Sequence, residues 1–254
     1  MSKFNAKKEI SNITDQIRQY FYVNGPDSKA VIGISGGKDS TIAAALLCKA
    51  LGRDKVFGVI MPNHEMRDQP IAEEVCEHLG IEYRIINIGE TCEELYKVLR
   101  LNDVNCEDAK IYSNVPARVR MITLYAVAAA IGGRVINTSN LTEALLGYST
   151  KYGDGAGDFG ILRDYYVSEV ILLGEELGLP DKFVHKAPDD GMSGKTDEEA
   201  LGFTYKVADE YFKDGVIPDF DIYKKIKDRE KNNRHKRFAM DYCRKKLDDD
   251  PIFF

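Results

Sequence analysis

The residues best suited to chemistry gather between positions 33 and 40, where the chain reads Gly33-Ile34-Ser35-Gly36-Gly37-Lys38-Asp39-Ser40. Two adjacent glycines let the backbone turn and bring bare N–H groups towards an anion, and two serines add hydroxyl donors. A helix opening straight after the loop adds the partial positive charge of its N-terminus. The segment is therefore built as a phosphate cradle. It is not the GxxxxGK[ST] loop, because Asp39 stands where Ser or Thr must follow the lysine, and it does not fit GxGxxG. An acid among phosphates makes sense with a divalent cation between them, which makes Asp39 a candidate metal ligand. A plain glycine turn with Asp39 capping the helix is the competing reading. A second acid, Glu143, follows the run at 134–138 by five residues and can reach the same crevice. Two such carboxylates can share a Mg²⁺ that bridges phosphate oxygens, although a lone Glu opening a helix also reads as a solvated cap.

These residues need a scaffold, and the pattern around them supplies one. Apolar side chains at Ile10, Ile13, Ile17 and Phe21, in steps of three and four, predict an amphipathic entry helix that stops at Asn24-Gly25-Pro26. Short β-branched runs predict strands over 30–34, 56–61, 83–88 and 134–138. Helical stretches lie between them over 41–51, closed by Gly52, over 70–79, closed by Gly80, and over 93–101 and 117–131. Strands alternating with helices mean βαβ units, so the expected fold is α/β: a Rossmann-like, doubly wound parallel sheet of about five strands with helical additions. Ligands in such a sheet bind beyond the carboxyl ends of the strands, where the cradle stands. Beyond residue 140 the texture changes. Residues 147–160 hold five glycines and 187–196 are polar with Pro188, Gly191 and Gly194, so both read as loops around a helix over 164–177. The second is long enough to act as a lid. No linker or repeat divides the chain, and residues 1–254 read as one domain.

Composition narrows the function classes. A net charge of −6 argues against a protein that coats duplex nucleic acid through bulk phosphate contacts. The five cysteines, Cys48, Cys76, Cys92, Cys106 and Cys243, are nowhere closer than fourteen residues, so neither a metal knuckle nor a disulfide framework can be drawn. The first residues lack the apolar core of a signal peptide, and no apolar run approaches the ~20 residues of a membrane span. A cytoplasmic protein is expected. The stretch 224–246 carries eleven Lys or Arg against three acids, which is a local positive field or simply a solvated helix end.

The loop SGGKDS resembles the SGGxDS loop of the N-type ATP pyrophosphatases, which cleave ATP between its α and β phosphates. Further segments narrow the resemblance. Asn114-Val-Pro-Ala-Arg118-Val-Arg120-Met121, Asn137-Thr138-Ser-Asn140-Leu-Thr-Glu143, Gly147-Tyr148-Ser-Thr150-Lys151-Tyr152-Gly153-Asp154, Gly157-Asp158-Phe159, Lys186-Ala-Pro188, Thr196-Asp197-Glu198 with Leu201-Gly202-Phe203-Thr204-Tyr205, and His235-Lys236-Arg237 are similar, in order, to ammonia-dependent NAD synthetases. The similarity runs from about residue 10 to about residue 240. It implies ATP-dependent amidation of deamido-NAD with ammonia, through an acyl-adenylate, releasing AMP and pyrophosphate. ATP is then expected on Gly33 to Ser40 and Thr138, Mg²⁺ on Asp39 and Glu143, and deamido-NAD on Arg118, Lys151, Asp158, His235 and Lys236. A homodimer is expected too, with no glutaminase domain in the 254 residues. Read locally, Arg118 is equally an exposed snorkelling side chain, and Lys151 with Asp158 a surface ion pair.

Two positions depart from the family pattern. Val167 stands where the family commonly has a lysine nine residues beyond the Asp158 position, and Asp189 stands where Thr or Ser commonly follows the KxP motif. Lys38, Lys186 and Lys195 are the candidates to replace the missing charge. Two other classes stay open: a tRNA-modifying pyrophosphatase, disfavoured by the net charge and the lack of paired cysteines, and a nucleotide-binding sensor without catalysis.

Overall fold

The computed structural model describes residues 4–185 and 197–237. The chain opens with α1 (Ala6–Asn24), capped by the Asn5 side chain, and Ile10, Ile13, Ile17 and Phe21 are buried along one face. Then β1 (Ala30–Gly33), α2 (Lys38–Leu51), β2 (Val56–Ile60), α3 (Gln69–Leu79), β3 (Glu82–Ile85), α4 (Gly89–Leu101), α5 (Ala109–Ile131) and β4 (Arg134–Asn137) alternate. The remainder is α6 (Leu141–Leu146), β5 (Phe159–Gly160), α7 (Val167–Glu176), α8 (Asp181–Val184), α9 (Asp197–Leu201), α10 (Tyr205–Asp214) and α11 (Phe220–Asn232).

The five strands form one parallel sheet in the order β3-β2-β1-β4-β5. Strand order reverses between β1 and β4, so loops leaving these two neighbours diverge and open a crevice at their carboxyl ends. The alternation of a strand sends Ala30 and Ile32 to one face and Val31 to the other. The first face is covered by α1, α2, α3 and α7, and the second by α4 and α5, through Cys92, Val119, Met121 and Leu124. A third cluster, built on Leu146, Val167, Leu201, Phe203, Tyr205, Ala208 and Ile226, joins α6, α7, α10 and α11 into the helical addition.

Two sequence expectations need correction. The stretch 147–160, read as loop throughout, ends in β5, where Phe159 pairs with Ile136 and Gly160 with Asn137. A two-residue strand ending in glycine carries no periodicity to read. The helix expected over 117–131 begins eight residues earlier, at Ala109, and carries Pro116 inside it. Proline lacks an N–H and crowds the preceding turn, and α5 runs through Pro116 as tertiary packing overrides that preference. Cys48, Cys76, Cys92 and Cys106 are free thiols, as expected, and Cys243 lies outside the described residues. No helix among the described residues is long and apolar enough to cross a membrane.

Candidate active site

The cradle links the end of β1 to the start of α2. Its shape is fixed from within: the Ser35 amide donates to Ser40 Oγ at 3.3 Å, the Gly37 amide to Ser35 Oγ at 3.2 Å, and the Ser40 hydroxyl to the Gly37 carbonyl at 3.0 Å. Gly36 has φ +76°, and a Cβ there would come within 2.9 Å of the Asp68 carbonyl oxygen, so this position admits only glycine. Ile34 sends its side chain into the core and offers the site only its backbone. No side chain caps α2 at Gly37, which leaves the positive end of the helix facing the crevice. Thr138 follows directly on β4, on the far side of that crevice.

The two acids are fastened to one residue between them. Asn140 caps α6 by accepting from the Glu143 amide at 2.9 Å, while its own amide donates to Glu143 Oε2 at 3.2 Å. Its side-chain nitrogen donates to Asp39 Oδ1 at 3.1 Å. Glu143 is thus a helix cap and a member of the acidic pair at once. Burial, and then the charge of Asp39, push the Glu143 carboxyl well above the usual range, against the opposing pull of Lys38 and the Asn140 amide. Lys38 is only 5% exposed. Its ammonium lies 3.0 Å from Asp39 Oδ2 and 5.6 Å from the centre of the Tyr205 ring. Burial alone would lower its pKa, and Asp39, Glu143 and Asp197 outweigh burial to raise it.

The residues assigned to a second substrate divide. Arg118 Nε donates to the Lys151 carbonyl at 3.3 Å, Lys151 Nζ to the His235 carbonyl at 2.9 Å, and Lys236 Nζ to the carbonyls of Gly147 and Ser149 at 2.8 Å each. These four residues form one connected wall around the loop 147–154. Gly147, at φ +61°, lies so close to Asn233 that a Cβ would sit 2.0 Å from the Asn233 Cβ, so this loop and the end of α11 are in direct contact. Asp158 stands apart from that wall. It accepts from the Val135 amide at 2.8 Å and from the Tyr125 hydroxyl at 3.1 Å, which ties it to the first half of β4. Tyr125 is two helical turns beyond Arg118 on α5, so both face the same side of that helix.

A family model for NAD synthase matches residues 9–240. The chain belongs to the NAD synthase family. An NH(3)-dependent NAD(+) synthetase of Pyrococcus furiosus is 38% identical over 251 residues, covering 93% of this chain and 94% of the relative. Among solved structures, an NMN synthetase from Francisella tularensis superposes with a TM-score of 0.86 at 32% identity, over 95% of this chain and 99% of that one. An NH3-dependent NAD synthetase from Campylobacter jejuni gives 0.77 at 29% identity, over 95% of this chain and all of the other.

Within this NAD synthase fold, Val167 is buried at the N-terminus of α7 and lines a cleft of about 510 Å³ that Lys38 and Tyr205 also line. The loop ammonium therefore enters the space where Val167 offers no charge. Lys186, Asp189, Lys195 and the expected lid lie outside the described residues, as does the basic stretch beyond residue 237. Three supports escaped sequence reasoning. Asn140 is the first. Asp209, buried on α10, accepts from the Thr142 hydroxyl and from the Ser168 amide at 2.8 Å, and so locks α6 to the start of α7. Asp197 accepts from the hydroxyls of Tyr148 at 3.1 Å and Tyr205 at 3.2 Å. An acid inside an appended helix gives no local signal that it braces the site.

The donor set suits a hard divalent cation. Two carboxylates leave most of an octahedral shell to phosphate and water oxygens, which is how Mg²⁺ is commonly held with a nucleotide. Among the described residues no group of three or more His, Cys, Asp or Glu is placed to hold a metal.

Proposed function

We propose that the protein is an ammonia-dependent, AMP-forming ligase that amidates deamido-NAD to NAD. The observation that carries this reading is the junction at the β1/β4 switch point, where Asn140 fastens the acid of the phosphate cradle, Asp39, to the helix of Glu143. In the reaction the nicotinate carboxylate attacks the α-phosphorus of ATP. The bond from that phosphorus to the α–β bridging oxygen breaks, and pyrophosphate leaves with the electron pair. Ammonia then adds to the acyl carbon and loses a proton, and AMP departs to leave the amide. The protein needs little covalent chemistry, because phosphoryl transfer of this kind rests on positioning and charge neutralisation. The cradle amides from Ser35 to Ser40 and the start of α2 hold the pyrophosphate, and Thr138 borders the nucleotide. Asp39 and Glu143 are the residues that would hold Mg²⁺, which when bound neutralises the phosphates. Arg118, Lys151, His235 and Lys236 border the second substrate, with Asp158, just before β5, meeting it beside Tyr125 of α5.

The protein acts as one domain with free ammonia as nitrogen donor, in the cytoplasm and as a homodimer. A second reading keeps the chemistry and changes the acid. The likeness to the Francisella tularensis NMN synthetase favours a mononucleotide acceptor in place of the dinucleotide.

The test is incubation with ATP, Mg²⁺ and ammonium while the acid is varied, following AMP and the amide product by chromatography. Equal amounts of NAD and AMP are expected from deamido-NAD, with little NAD from ammonia-free glutamine. A faster reaction with the mononucleotide installs the second reading. Absence of any AMP release overturns both in favour of a sensor.

A further inference from the structure

We infer that Lys38 couples metal binding to nucleotide binding: its ammonium competes with a divalent cation for Asp39, so the pair of acids holds the metal tightly only when a polyphosphate arrives with it. This rests on the reading above that Asp39 and Glu143 are the metal ligands. Both oxygens of Asp39 are engaged, Oδ1 by the Asn140 side chain at 3.1 Å and Oδ2 by Lys38 Nζ at 3.0 Å. A divalent cation on Asp39 must share one of these oxygens or take over Oδ2, and either way it stands against a positive charge in the same recess. Lys38 is 5% exposed, with the Tyr205 ring on one side and Val167 along the same cleft, so its charge rests out of bulk water. Repulsion between two cations so close, with little solvent to screen it, is large compared with that at the surface. A bound polyphosphate changes this balance. It brings several negative charges to the mouth of α2, gives the ammonium a second anion, and frees Oδ2 for the metal. The acids that face Lys38 from other elements, Glu143 on α6 and Asp197 on α9, hold the ammonium in this recess in either case. Lys38 is thus the residue that makes the metal and the nucleotide arrive as a unit.

The experiment titrates the full-length chain with Mn²⁺, following free Mn²⁺ by electron paramagnetic resonance, with and without α,β-methylene-ATP. The wild type should bind Mn²⁺ weakly alone and much more tightly with the analogue, after correction for Mn²⁺ held by the analogue in solution. Lys38→Met keeps the length of the side chain and removes its charge, and should tighten Mn²⁺ binding without nucleotide by about tenfold or more. Lys38→Arg keeps the charge and should behave as the wild type. If methionine is not tolerated, Lys38→Gln gives the same readout. A Lys38→Met protein that binds Mn²⁺ no more tightly than the wild type, while Asp39→Ala abolishes binding, overturns the coupling alone. Undiminished Mn²⁺ binding in Asp39→Ala and Glu143→Ala overturns the ligand assignment and the coupling with it.

Discussion

The side-chain amide of Asn140 meets Asp39 Oδ1 at 3.1 Å across 101 residues of sequence. One short polar side chain therefore sets the separation between the helix that carries Glu143 and the loop that carries Asp39. Asn140→Ala should lower kcat about 10- to 100-fold, as loss of an outer-shell partner does, while leaving the apparent KM for deamido-NAD close to that of the wild type. Asp39→Ala and Glu143→Ala should each cost more, of order 2 to 4 kcal/mol in kcat/KM. Near-normal turnover in a folded Glu143→Ala protein would reduce Glu143 to a helix cap.

Lys236 spends its ammonium on two carbonyls of the loop 147–154, and Lys151 meets the carbonyl of His235. Burial lowers the pKa of Lys236, Asp154 opposes that shift and Arg229 adds to it. The pair His235-Lys236 therefore braces the loop 147–154 from inside, beside the site proposed for the second substrate. Replacing both with Ala should raise KM for deamido-NAD much more than KM for ATP. Because Lys236 is tied to fixed carbonyls instead of standing free in solvent, added salt should soften the effect only slightly. Equal changes in both KM values would assign this segment to the scaffold.

Asp209 binds both the Thr142 hydroxyl and the Ser168 amide, and the Val167 amide in turn donates to Thr142 Oγ1 at 3.1 Å. Asp209→Ala leaves a buried hydroxyl and a helix-end N–H without their acceptor. Urea unfolding should show a loss of about 2 to 3 kcal/mol. Asp209→Asn, which keeps one acceptor oxygen, should recover part of it. An Asp209→Ala protein as stable as the wild type would show that α6 and α7 are held together by apolar packing alone.

Burial pushes the Cys76 thiol from its ordinary 9.0 up to about 12, with Glu73 and Glu77 adding to the shift. The unfolded thiol gives up its proton near pH 9 and the folded one retains it, so the native state binds more protons over that interval. Stability should then decline as pH rises from about 9 towards about 12, since stability falls wherever the native state binds the more protons. Urea midpoints at about pH 8 and about pH 10 measure the decline, and it should be shallower in Cys76→Ala. An identical slope in the variant would place the alkaline loss on other groups.

What the sequence disclosed follows from how local each signal is. The cradle could be read because its glycines, serines and the helix after it stand within a few residues of one another, and the parallel sheet because each βαβ unit repeats the same alternation. Asp39 and Glu143 could be brought together because sheet topology sends the ends of β1 and β4 to one crevice. Asn140 and Asp209 were invisible as braces because their partners lie 101 and 67 residues away. Their types suit a helix cap and a solvated face equally well, and only tertiary packing decides between those roles. The division of Asp158 from the Arg118 wall is of the same kind, since a spacing of seven residues from Lys151 says nothing of the turn that loop takes through Gly153 and Gly155.

The brevity of β5 has a consequence for how copies of this chain meet in crowded solution. An open parallel sheet invites strand addition at its rims, where unpaired amides and carbonyls stand in a row. On one rim β5 offers only Phe159 and Gly160, too short a row to template an incoming strand. On the other, β3 carries Arg84 and Glu82 joined at 3.0 Å, with Lys29 reaching Glu82 at 3.1 Å, so a foreign backbone must strip water from a charged fence before it can pair. Among the described residues neither rim offers a long unguarded row, and association between copies is left to the helical faces.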